Sequence, residues 1–159
     1  MILLSDANVL IDLCHVDGIS VLTQLATVEV LDVVFDECTY PDQIQDKITE
    51  SGITQVVVQP LWIRLAQQYC QGKLSQQDAL CLHYAMTFNR VLMTNEKPLR
   101  NLCQQKNINH HGTLWIIQQA YEKNVVPNVE LCKWLSILVA EGSRMPKQEL
   151  ANMRNLLGC

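Results

Sequence analysis

The sequence has no apolar run approaching the roughly 20 residues that span a bilayer, which argues against a helical membrane protein. It shows no basic-then-apolar leader: MILLSDANVL reaches an aspartate at its sixth residue, so no secretory signal is expected. A glycine-rich phosphate loop of the GxxxxGKS or GxxxxGKT type is missing, which removes the P-loop nucleotide hydrolases. No two of the seven cysteines (Cys14, Cys38, Cys70, Cys81, Cys103, Cys132, Cys159) stand at CxxC spacing. Their odd number and irregular intervals argue against a disulfide framework and a zinc ribbon. The expectation is reduced thiols serving as small core hydrophobes, in a soluble cytoplasmic protein. Internal repeats, low-complexity tracts and linkers are also lacking, and 159 residues suit one domain that buries roughly 68–70% of its unfolded surface.

What is present is a well-patterned apolar chain, 48% hydrophobic, with its charge unevenly spread. The net charge is −4, but residues 1–50 hold ten acids against the single base Lys47, for −9. Residues 51–110 come to +4 and the remainder to +1. An acidic lobe suits divalent cations, and a mildly basic one suits phosphates.

Short apolar strands alternate with helical patterns. Strands are expected at Ile2–Ser5, Val28–Leu31, Gln55–Gln59 and Val91–Met93, with a brief last one opening at Ile108. Asn8 is a suitable N-cap for a helix to about Leu13, and Asp17-Gly18 marks a turn before another helical stretch, Ile19 to Leu25. Val33 to about Ile48 reads as helix interrupted near Tyr40-Pro41. Further helices are expected from Pro60 to near Gly72, from the cap Ser75 to about Phe88, and over Lys97–Gln105 and Leu114–Lys123. Val129–Ala140 and Pro146–Leu157 complete the set. The alternation predicts a three-layer α/β/α sandwich around a mainly parallel sheet. Residues 1–126 form its body, and 127–159 are a helical extension packed on the same domain.

In such sheets ligands bind beyond the carboxyl ends of the strands. Asp6 directly follows the first strand, and Glu96 stands just past Val91–Met93. Glu37 follows Val33-Val34, and Asp78 sits in the first turn of the helix capped by Ser75. Converging carboxylates repel one another unless a cation neutralises them, and Mg²⁺ or Mn²⁺ prefers oxygen donors. Such a cation activates water and steadies charge on a phosphodiester. Each acid also has an ordinary reading, Asp78 as a partner of the helix dipole and Glu37 as one more solvated charge.

The segments SDANVLIDL (5–13), FDEC (35–38), LSQQDALCLHYA (74–85) and VLMTNEKPLR (91–100) resemble, in order, the acidic motifs of PIN domains. HGTLWIIQQAYEKNVV (111–126) resembles the strand-to-helix segment of bacterial toxin-like PIN proteins of the VapC kind. The resemblance implies a metal-dependent ribonuclease cutting single-stranded RNA, with Mg²⁺ or Mn²⁺ as cofactor. It also implies a type II toxin restrained by a small antitoxin, and a homodimer. By position, Asp6, Glu37, Asp78 and Glu96 would be both metal ligands and catalytic acids, supported by Asn8, Thr94 and Asn95. Glu96 departs from the family pattern, which places aspartate there. The extra methylene displaces the carboxylate by on the order of 1 Å, enough to weaken catalysis. A catalytically impaired binding or assembly module is therefore the alternative.

Other candidates carry less. Asp6-Ala7-Asn8 lacks the second aspartate of haloacid-dehalogenase-like phosphatases, and Leu4-Ser5-Asp6 lacks the paired acids of a receiver domain. His110-His111 reads as an ordinary exposed loop pair, and Trp62, Trp115 and Trp134 as core or dimer contacts. Lys97 and Arg100 directly follow the presumed pocket and suit RNA phosphates.

Overall fold

A computed structural model describes residues 1–72 and 74–159. The strands are β1 (Ile2–Ser5), β2 (Thr27–Leu31), β3 (Thr54–Val56), β4 (Val91–Met93) and β5 (His110–His111). The helices are α1 (Ala7–His15), α2 (Ile19–Leu25), α3 (Asp32–Glu37), α4 (Ile44–Glu50), α5 (Pro60–Ala66) and α6 (Gln76–Phe88). They continue as α7 (Lys97–Gln105), α8 (Thr113–Glu122), α9 (Asn128–Ala140) and α10 (Lys147–Leu157).

All four strand pairings are parallel, in the order β3-β2-β1-β4-β5. This is the expected α/β sandwich. Leu3, Leu4, Val30, Leu92 and Met93 are fully buried, as strands covered on both faces require. On one side α1 packs with α2, α4, α8 and α9; on the other α6 packs with α5 and α7. The chain builds outward from β1 through β2 to β3, then returns to the far side of β1 to lay down β4. The order therefore reverses between β1 and β4, and a crevice opens beyond their carboxyl ends.

The two last helices join the same core through Leu131, Trp134, Leu135, Leu138, Met153 and Leu157. Gly18 makes room for this: a Cβ there would lie 2.8 Å from the Trp134 ring. The Glu141–Pro146 turn between α9 and α10 reaches back over the carboxyl edge of the sheet, where Ser143 and Arg144 make contacts described below. No helix among the described residues is long and apolar enough to cross a membrane.

Several local expectations are corrected. β3 ends at Val56 rather than Gln59; it is an edge strand, Val57 is 67% exposed, and the Val58 amide donates to Asp32 Oδ1 instead of a ladder carbonyl. His110 and His111 are not an exposed loop pair; they form β5, half-buried beside Leu92 and Met93. Four cysteines, Cys14, Cys38, Cys81 and Cys103, are buried core thiols as expected, but Cys70 is exposed, and Cys132 and Cys159 form a disulfide joining α9 to the second residue past α10. The two ends lie 27 residues apart in sequence and meet only because α9 and α10 pair.

Candidate active site

Asp6 leaves β1 at the reversal point, where its amide donates to Met93 O on β4 at 3.0 Å. It, and not Asn8, caps α1: Asp6 Oδ1 accepts from Val9 N at 2.9 Å. Asp6 can do so because it precedes the first helical turn in extended backbone, while Asn8 already lies inside the helix. The other oxygen, Oδ2, is sealed from solvent with no hydrogen-bond partner. Burial lifts the Asp6 carboxyl from 3.8 to about 7. The Thr94 hydroxyl and the Val9 amide pull it down, Thr94 falling short of a hydrogen bond to Oδ2, while the charges of Asp78 and Glu96 add to the rise.

The other acids stand on separate elements, and the charges of Asp78 and Glu96 act on Asp6. Ser75 Oγ accepts from Asp78 N at 3.1 Å, so the cap that starts α6 also fixes the backbone of Asp78. Burial raises the Asp78 carboxyl, Ser75 tempers the rise, and the Glu96 charge adds to it. Glu37, the exposed last residue of α3, is raised by burial of its carboxyl and by the charge of Asp78. Like-charge coupling therefore runs from Glu37 to Asp78 to Asp6 and Glu96. Cys81 and Cys38 lie beneath these acids, their thiols pushed up by burial, Cys38 to about 12, so neither is a thiolate nucleophile at neutral pH.

Glu96 is held elsewhere. Its amide donates to Thr94 Oγ1 at 3.0 Å. Its Oε1 accepts from Asn8 Nδ2 at 2.5 Å, and its Oε2 pairs with Arg144 Nη1 at 2.7 Å. Arg144 thus answers the charge of Glu96 from the α9–α10 turn. Among the described residues no three carboxylate, histidine or cysteine side chains stand close enough together to enclose a metal ion.

The residues nevertheless fit a hard divalent cation in kind. The donors are all oxygen, as Mg²⁺ and Mn²⁺ prefer, and a buried carboxylate oxygen with no partner is costly unless something charged meets it. A family of four repelling acids supplies the same demand for positive charge.

Sequence reasoning missed the residues that brace this edge. Asp12 is buried on α1, and its Oδ2 accepts from Asn95 Nδ2 at 3.0 Å, Thr113 Oγ1 at 2.8 Å and Ser143 Oγ at 2.6 Å. One carboxylate oxygen thereby ties the loop after β4, the start of α8 and the α9–α10 turn to α1. Asn95, expected beside the pocket, is a girder of this knot: its Oδ1 accepts from Thr113 N at 3.0 Å. Gly112 is required next to it, because a Cβ there would collide with Asn95 Oδ1. A signal for Asp12 existed, an acid set inside the apolar run Val9-Leu10-Ile11-Asp12-Leu13-Cys14. A cavity of about 180 Å³ flanks the knot, lined by Asn8, Asp12, Asn95, Glu96 and Arg144 among others. Lys97 and Arg100 face a different space, a 590 Å³ groove on the far side of Asn95.

Comparison with known proteins agrees with the fold. A family model described as a PIN domain matches residues 2–158. Among solved structures, a PilT N-terminus domain protein from the hyperthermophilic archaeon Sulfolobus solfataricus superposes with a TM-score of 0.54 at 13% identity, over 73% of this chain and 90% of that one. No curated protein matches the sequence.

Proposed function

This chain belongs to the PIN-domain family, and on that premise we propose that it is a metal-dependent endoribonuclease acting on single-stranded RNA. PIN domains are generally nucleases, and the observation that carries the reading here is the buried, unpartnered Oδ2 of Asp6 at the strand-order reversal. Asp6, Asp78, Glu37 and Glu96 are the residues that would hold Mg²⁺ or Mn²⁺. When bound, such an ion supplies an activated water and stabilises charge on the phosphodiester.

The chain's own residues do the positioning. Asp6 is fixed by the α1 cap, Asp78 by the Ser75 cap, and Glu96 by Thr94 and Asn8. Lys97 and Arg100, on the first turn of α7, are the proposed contacts to flanking phosphates. The reading extends to a cytoplasmic toxin of a type II pair, working as a homodimer and restrained by a small antitoxin. The same reading treats residues 127–159 as an extension of a 1–126 catalytic body.

Cleavage of a mixed RNA pool with Mn²⁺, with EDTA, and by Asp6→Asn tests it. Cutting is expected only for the unaltered protein with metal; cutting that survives both chelation and the substitution defeats the mechanism.

A second reading, a PIN domain that has lost catalysis and serves as a binding or assembly module, is favoured by one observation. Arg144 already pairs with Glu96, one of the four acids. Calorimetric titration with Mn²⁺ separates the two, since absence of binding at millimolar concentration selects the module.

A further inference from the structure

We propose that the groove bounded by α7, α8 and α10 is a nucleotide subsite, taking a base and adjoining phosphate of the strand next to the acidic cluster. The proposal rests on the RNA reading above and deepens it. Two cavities, about 500 and 590 Å³, share Asn95, Arg100, Pro146 and Glu149 in their walls and so adjoin one another. Each is of the size that accepts a small organic ligand. None of the four acids lines the groove, but Asn95, the residue before Glu96, and Arg144, the partner of Glu96, do, so its near end adjoins Glu96.

Its walls carry the chemistry a nucleotide needs. His111 and Trp115 line the first cavity with their rings stacked, centroids 4.3 Å apart and planes within 8°. Burial first, then the nearby His110 and Arg100, lowers the His111 imidazole below its ordinary 6.5 and so disfavours its charged form. The two rings cover one face of each other, and a base can extend this stack on its outer face, by stacking that does not depend on sequence. Amides Gln118 and Asn152 line the same cavity, offering donors and acceptors to a base edge. Lys97 and Arg100 line the joined groove against the single acid Glu149, Arg144 being paired with Glu96, so the groove keeps an excess of one positive charge in a chain of net −4. That charge suits a phosphate diester better than an acidic or apolar peptide.

The test is binding of a fluorescein-labelled pentaribonucleotide, read by anisotropy in EDTA so that cleavage does not intervene. Trp115→Leu is expected to weaken binding about 5- to 100-fold while Trp115→Phe keeps most of it. Arg100→Gln is expected to reduce the slope of log affinity against log salt by about 1. Thermal unfolding checks that each variant is folded. Trp115→Leu binding as tightly as the unaltered protein overturns the proposal. So does failure of the unaltered protein to bind the oligonucleotide, which leaves the groove to a protein partner. Asp6→Asn separates the two levels: it should bind the oligonucleotide yet not cut it with Mn²⁺, whereas cutting by Asp6→Asn that also survives EDTA defeats the proposed metal mechanism whatever the groove does.

Discussion

Asp6→Asn should make the metal-free protein more stable, not less. The substitution keeps an oxygen to cap α1 at Val9 N while deleting a charge whose second oxygen has no partner. The folded-state carboxyl titrates at about 7 against 3.8 when exposed, a difference of about 3 pH units and hence about 4 kcal/mol by linkage. Because folding raises this value, the stabilising contribution of the protonated form is complete below 3.8 and is lost as pH rises through about 7. Above pH 7 the folded protein confines a carboxylate that the unfolded chain would leave in water. The asparagine amide carries a desolvation cost of its own, roughly 1–3 kcal/mol, so the net gain at pH 8 is about 1–3 kcal/mol. Urea unfolding in EDTA at pH 8 and at pH 5 measures it: the advantage of Asp6→Asn should be present at the higher pH and shrink at the lower. Millimolar Mn²⁺ should raise the midpoint of the unaltered protein and leave that of the variant unmoved. An Asp6→Asn variant less stable than the parent at pH 8 without metal would refute the claim that this carboxylate is held under strain for a ligand.

Other expectations follow from the bracing of the site. Arg144→Ala removes the cation paired with Glu96; an exposed pair is worth about 0.2–1 kcal/mol, so Mn²⁺ affinity measured by calorimetry should rise by up to about fivefold. Unchanged or weaker Mn²⁺ binding would mean that Arg144 does not compete for Glu96. Asp12→Ala strips one shared acceptor from Asn95, Thr113 and Ser143 and should cost about 1–3 kcal/mol for a donor left unsatisfied, read by urea unfolding, with RNA cleavage falling as the 94–96 loop loosens. Gly112→Ala forces Asn95 away from Thr113 and should cost about 1–3 kcal/mol in the same assay; a neutral result would show that Asn95 can give way freely.

The alternation of apolar strands and helices was readable along the chain because those signals are local. Ile2-Leu3-Leu4 is a continuous apolar run, Lys97–Gln105 carries helical periodicity, Ser75 announces α6, and acids that follow strands in a parallel sheet point to its carboxyl edge. Thus the sequence by itself determined the α/β sandwich and nominated Asp6, Glu37, Asp78 and Glu96. Only the tertiary structure decided how they are held. Asp12 meets Asn95, Thr113 and Ser143 across 83, 101 and 131 residues, Arg144 meets Glu96 across 48, and Cys132 meets Cys159 across 27. Nothing in a residue's neighbours along the chain encodes such meetings. They arise when buried helix faces dock, and a polar group then takes whichever partner the docking leaves within reach, because a buried donor or acceptor left alone costs more than the bond itself returns.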